Sequence, residues 1–86
     1  MNVRIPTPLR SYTAQALSVV ATGTTIDEVL VDLDRQYPGI RFRVVDEQNR
    51  LRQHMKVFVN QELVRDLNTR VDPHDELTLM QALSGG

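Results

Sequence analysis

Cysteine and tryptophan are absent from these 86 residues, and the aromatic content is two Tyr and two Phe. Without cysteine there can be no disulfide staple, no thiolate metal site and no cysteine nucleophile, so packing alone must hold the fold. That usage suits a reducing cytoplasm, which is the expected compartment. Charge of one sign is also lacking: ten Lys and Arg against eleven Asp and Glu leave a formal charge of -1. Nonspecific binding to nucleic acid or to an anionic membrane needs a far stronger positive field, so neither is an expected partner. No apolar run reaches the length of a signal peptide or a membrane span. A chain this short has room for one core and one domain, and a deep active-site cavity of its own is not expected.

What is present reads as an α+β pattern. Val3 and Ile5 alternate with polar positions as in a short strand, closed by Pro6 and Pro8, which cannot donate to a ladder. Leu9 to Thr13 reads as a connection, and Ala16 to Ala21 as a second strand with Leu17 and Val19 on one face. Ile26, Val29, Leu30, Leu33 and Tyr37 recur at helical spacing and predict a helix over 26–37. Thr25 and Glu28 match a capping box at its start, and Pro38-Gly39 stops it. Ile40 to Val45 fits either a strand by alternation or a short helical turn grouping Ile40 and Val44. Met55 to Val59 is a strong strand with Val57 and Val59 inward. Leu63-Val64 is a shorter one, and Leu77 to Met80 is the last, with Leu77 and Leu79 inward.

Candidate chemistry in the body is sparse. His54 and His74 lack paired-ligand spacing and read as two solvated loop histidines rather than a metal site. Asp27, Glu28, Asp32 and Asp34 could be imagined as paired carboxylates, but helical spacing puts most of them opposite the apolar stripe, on a solvated face. Arg41, Arg43, Arg50 and Arg52 form a local basic cluster, either a wet surface or a docking patch for an acidic partner. There is no phosphate-binding glycine loop and no nucleophile elbow.

The end of the sequence is different. Two of the four glycines are Gly85 and Gly86, placed directly after the last strand signal. Backbone without Cβ atoms can enter a narrow cleft. Residues 83–86, expected as a flexible tail, reach at most ~13–14 Å when extended. The reacting group would then be the main-chain carboxylate of Gly86, with Gly85 and Ser84 as its tether. A carboxylate is a poor electrophile and needs activation, as an acyl-adenylate made by a partner that supplies the nucleotide site this chain lacks. Attack by sulfur would leave a thiocarboxylate.

The opening Ile5-Pro6-Thr7-Pro8-Leu9-Arg10, together with Tyr37-Pro38-Gly39, Val57-Phe58-Val59-Asn60, Asp75-Glu76-Leu77-Thr78-Leu79 and Gly85-Gly86, resembles the ubiquitin-like β-grasp sulfur carriers of the ThiS/MoaD group. Within that group the chain is most similar to stand-alone carriers used in cysteine biosynthesis. The resemblance implies a mixed sheet of four to five strands packed on one main helix, with a β-grasp domain over 1–82 and a diglycine tail over 83–86. It implies a carrier rather than an enzyme, with no bound cofactor. ATP and a sulfur donor would be used by a ubiquitin-activating-type enzyme that adenylates Gly86. The sulfur would pass to an acceptor enzyme, cysteine-synthase-like or the large subunit of a molybdopterin synthase, and a metalloprotease would trim the tail or its product. Alternatives are the small subunit of molybdopterin synthase, a protein modifier joined through Gly86, and a binding-only module.

Docking on the activating enzyme through the outer face of the sheet is a further implication. Alternation makes Phe58 and Met80 outward, and Leu83 continues that line, against the bland reading that scattered exposed apolar residues are normal. Three departures from the group are visible: Gln61 where glycine is common, His74 at a turn position where glycine is common, and Gln81 in place of a proline. A His74 with positive φ would carry strain.

Overall fold

The apolar alternation of the last strand determines the middle of the molecule. Leu77 and Leu79 are buried, and the strand that holds them lies between the first strand and the third. The computed structural model describes residues 1–82, in which β1 (Asn2–Arg4), β2 (Ser18–Val20), β3 (Met55–Val59), β4 (Glu62–Val64) and β5 (Glu76–Gln81) form one sheet ordered β2-β1-β5-β3-β4. β1 runs parallel to β5, with Val3 opposite Leu77, and the other pairs are antiparallel. Val57 faces Leu79 and Val59 faces Leu77, so the inward residues of neighbouring strands stack in rows.

One face of this sheet is covered by α1 (Ile26–Gln36), whose Val29, Leu30 and Leu33 are fully buried against it. The result is the β-grasp arrangement: a mixed five-stranded sheet with one main helix across it. Thr25 caps α1 by accepting from the Glu28 N–H at 3.2 Å. The reciprocal half of the expected capping box is displaced by one residue, because the Glu28 carboxylate takes the N–H and hydroxyl of Thr24, both at 2.8 Å. The loop before the helix passes so close that a Cβ on Gly23 would lie 2.6 Å from the Val29 nitrogen.

The ambiguous segment after Pro38-Gly39 is helical, α2 (Ile40–Val44). Strand alternation would have grouped Phe42 with Ile40 and Val44. Instead Ile40 and Val44 are buried one helical turn apart, and Phe42 is 55% exposed. Gly39 at φ 99 turns the chain, and the Asp34 carboxylate accepts from the N–H groups of Gly39 and Arg41, binding α2 to the end of α1.

Two other expectations change. Residues 7–13 are not an irregular connection but a 3₁₀ helix, Thr7–Thr13, which buries Leu9 and Thr13. The second strand is shorter than expected and its predicted face is wrong at one end: Val19 is buried, whereas Leu17 is 63% exposed. The cause lies just upstream. Ala14 and Gln15 both take left-handed φ (53° and 69°), and Leu17 lies in a bend just after them, so its carbonyl still accepts from the Ile5 N–H at 2.9 Å while its side chain leaves the face of Val19.

The departures at the turns carry no strain of the kind anticipated at His74, which is not among the positive-φ residues. Asn60 instead takes φ 58 in the two-residue β3–β4 turn, a conformation asparagine tolerates well. Its side chain clasps the start of β5, donating to the Asp75 carboxylate at 3.1 Å and accepting from the Glu76 N–H at 3.0 Å.

Two outcomes are expected. Gly23→Ala should lower the urea midpoint, with a loss on the order of 1–3 kcal/mol, because backbone rather than a flexible side chain meets the added methyl. The second concerns acid. Asp75 is held below the usual carboxylate range, first by the Asp72 N–H and then by the Asn60 side chain, and Asp46 likewise by the Arg50 and Gln48 N–H groups. Lowered values in the folded state mean the unfolded chain binds more protons. Stability is therefore complete above the ordinary carboxylate pKa of about 4 and falls as pH drops through the folded values. Denaturation at stepped pH should show this acid limb, and Asp46→Asn with Asp75→Asn should flatten it.

Candidate functional site

Several carboxylates and guanidinium groups of the body are engaged in structural contacts. Asp27 pairs with Arg41 at 2.7 Å, and Asp32 pairs with Arg35 at 2.8 Å while also accepting from the Thr22 N–H. Asp34 binds α2 to α1 as described above. The acidic face of α1 is thus a set of loop and helix tethers, more than the merely solvated surface expected from its spacing. His54 and His74 are both exposed and lie near opposite ends of β5. Among the described residues no group of three metal-ligating side chains comes together.

Attention therefore turns to the outer face of the sheet and the end of β5. Phe58 on β3 points outward, between Leu63 of β4 and Thr78 of β5 in the ladder, and is half-buried by them. Met80 also points outward, opposite Lys56, and is 46% exposed. These two predicted partner-binding residues therefore lie diagonally across the β3–β5 pair, within the ~7–8 Å reach of large side chains. Leu63, 42% exposed, completes an apolar patch that the sequence reading missed. Its signal was present in the alternation of Leu63 with inward Val64, and in the two-residue turn that places it opposite Phe58. Leu83, Ser84, Gly85 and Gly86 lie outside the described residues.

The route to that sequence end is well fixed. The ladder between β3 and β5 pairs Met55 with Gln81, and one residue further the Ala82 N–H donates to the His54 carbonyl at 2.7 Å. Gln81 lines two grooves, one walled by Phe42, Arg43, Arg52 and His54, the other by β1 and the 3₁₀ helix. In the first, Arg52 is held in place by a 2.7 Å bond from its Nε to the Phe42 carbonyl and by stacking 4.6 Å from the Phe42 ring centroid. Such an arrangement can present and orient a chain end, but it offers no nucleophile and base in contact, among the described residues, for chemistry on another molecule.

A β-grasp body with an apolar outer face beside the end of its middle strand defines the ubiquitin-like class, and comparison narrows it. The ThiS family profile matches residues 3–86, and the chain belongs to that family. It is 36% identical over 91 residues to the sulfur carrier protein CysO of Mycobacterium tuberculosis, covering 100% of this chain and 98% of that one. The crystal structure of that organism's CysO superposes with a TM-score of 0.90 at 36% identity, over 95% of this chain and 98% of the other. The CysO chain in the Amycolatopsis orientalis BexX/CysO complex gives 0.92 at 39% identity, over 99% and 98%.

The two faces of β5 predict opposite responses to truncation. Met80→Ser on the outer face should leave the unfolding free energy within ~0.5 kcal/mol, whereas Leu79→Ala, one residue away and buried, should cost ~2–5 kcal/mol. Equal losses in chemical denaturation would contradict the assigned faces.

Proposed function

We propose that this chain is a sulfur carrier for cysteine biosynthesis, a co-substrate of partner enzymes rather than a catalyst, with the Gly86 carboxylate as the carrying group. The observation that supports it most is the full-length likeness to CysO sulfur carriers, which extends through the family match to residue 86. The body adds an exposed apolar patch, Phe58, Leu63 and Met80, suited to docking on an activating enzyme.

In this reading the carboxylate attacks the α-phosphorus of ATP in the partner's site, releasing pyrophosphate and forming an acyl-adenylate. A sulfur nucleophile then attacks the acyl carbon, AMP leaves, and the terminus becomes a thiocarboxylate. Its sulfur passes to an acceptor enzyme of the cysteine-synthase-like type. This chain's residues bind and orient: the patch holds the body, and the bond from the Ala82 N–H to the His54 carbonyl anchors the last described residue to the sheet.

A second reading, conjugation of Gly86 to lysine amines, is favoured by one observation, the likeness to SAMP1 of Haloferax volcanii with a TM-score of 0.79 at 26% identity.

Incubation with the adenylating enzyme encoded in the same genome, ATP and a sulfur source should raise the intact mass by about 16 Da, one oxygen exchanged for sulfur, through the covalent transfer described. Removal of Gly85 and Gly86 should abolish the gain. An unchanged mass with an enzyme shown to be active would defeat the proposal, and a ladder of high-mass conjugates in cell extract would establish the second reading.

A further inference from the structure

Charge on this nearly neutral chain is sorted along β5. The groove on one side of Gln81 is walled by Arg43, Arg52 and His54, and the groove on the other side by Arg4 and Arg10. Lys56 stands opposite Met80, one residue before Gln81. Five of the ten Lys and Arg side chains thus lie about Gln81 at the end of β5, and none of the eleven Asp and Glu lines either groove. Among the described residues, the two ion pairs involve Arg35 and Arg41 rather than the collar, and the carboxylate that feels a collar charge is Asp46, through Arg52. The opposite end of the sheet is acidic. Asp72 and Asp75 lead into β5, Glu76 begins it about 16–17 Å from Gln81 at the rise of an extended strand, and Glu62 begins β4 opposite Val59.

We infer that this basic collar docks against an acidic rim around the cleft of the protein that receives residues 83–86, and that the charge axis turns the chain collar-first during approach. The inference deepens the carrier reading and rests on it for the identity of the partner. Four residues reach at most ~13–14 Å, so any cleft that takes Gly86 must bring its mouth up against Gln81 and the side chains beside it. The rim of that mouth therefore meets Arg4, Arg43, Arg52 and Lys56 whatever chemistry occurs inside. Acidic groups there are attracted at encounter, and a wrongly oriented approach brings the acidic pole to the rim and is repelled. A protein rim fits better than a polyanionic nucleic acid, because exposed Phe42 and Met80 flank the charges and the far pole repels a long anion.

The test measures the association rate with the adenylating enzyme of the same genome by stopped-flow at rising salt. R4E/R43E changes two exposed side chains of the collar for which the structure shows no side-chain hydrogen bond. R35E/R70E changes net charge equally at positions lining neither groove, and unfolding midpoints check that both variants fold. R4E/R43E should slow association about 10-fold or more at low ionic strength, flatten the salt dependence and approach the parent rate at high salt, while R35E/R70E stays within about threefold. Equal rates for the two doubles would overturn the collar, as would no association by the parent chain, or capture of single-stranded RNA with enzyme association untouched. Mass gain with equal rates for both doubles would defeat the collar alone. Salt-dependent association without mass gain would defeat the carrier chemistry alone.

Discussion

The ladder that holds β5 between β1 and β3 is the constraint on which the rest depends. Its inward side chains, Leu77 and Leu79, fill the centre of the core beneath α1, and its outward side chains include Met80 of the apolar patch. The pairing beyond its end reaches Ala82, whose N–H donates to the His54 carbonyl at 2.7 Å. A slip of one residue would exchange the two faces, burying Met80 and exposing both leucines, so core energy enforces the position of the outer patch. The Asn60 side chain holds the same register at the other end of the strand. Packing and presentation are therefore one property here, set by a single strand.

Much of this was legible in residue order because strong periodicity coincides with burial. The stripe from Ile26 to Leu33 gave α1 to within a residue, and the alternation in β3 and β5 gave the faces of Val57, Phe58, Leu79 and Met80 correctly. Local pattern left two solutions open in one segment and misled where a neighbour decided. Ile40 to Val44 alternates like a strand, but Gly39 at positive φ and the Asp34 cap close a turn that only helical residues can continue. Leu17 alternates with Val19, yet two left-handed residues lead into a bend that turns its side chain to solvent, and no residue type there signals that conformation. Leu63 was overlooked because a three-residue strand shows almost no period; its role comes from Phe58 across the turn. The grouping of charge around Gln81 was invisible for another reason: Arg4, Arg10, Arg43 and Arg52 are distant in sequence and meet only once the sheet forms.

Family membership and physical reading converge on a division of labour. Under the proposed function the described body contributes recognition, through an apolar patch on the outer sheet face and a collar of positive charge beside it. Many of its carboxylates hold the chain in place, Asp32 and Asp34 at the ends of loops beside α1 and Asp75 at the turn before β5. The acyl chemistry under the proposed function is then the partner's work. A protein of this size needs no cavity for that role.

The parallel pairing of β1 with β5 joins residues 74 positions apart, Asn2 with Glu76, at the very middle of the sheet. Each half of the chain pairs strands of its own, β2 with β1 and β3 with β4 and β5, but the core beneath α1 closes only when β1 meets β5. Closing so long a loop must precede most of the reward in buried surface. The molecule should consequently assemble in a single, comparatively slow, all-or-none event, with no half-built species for a protease to recognise once it is done.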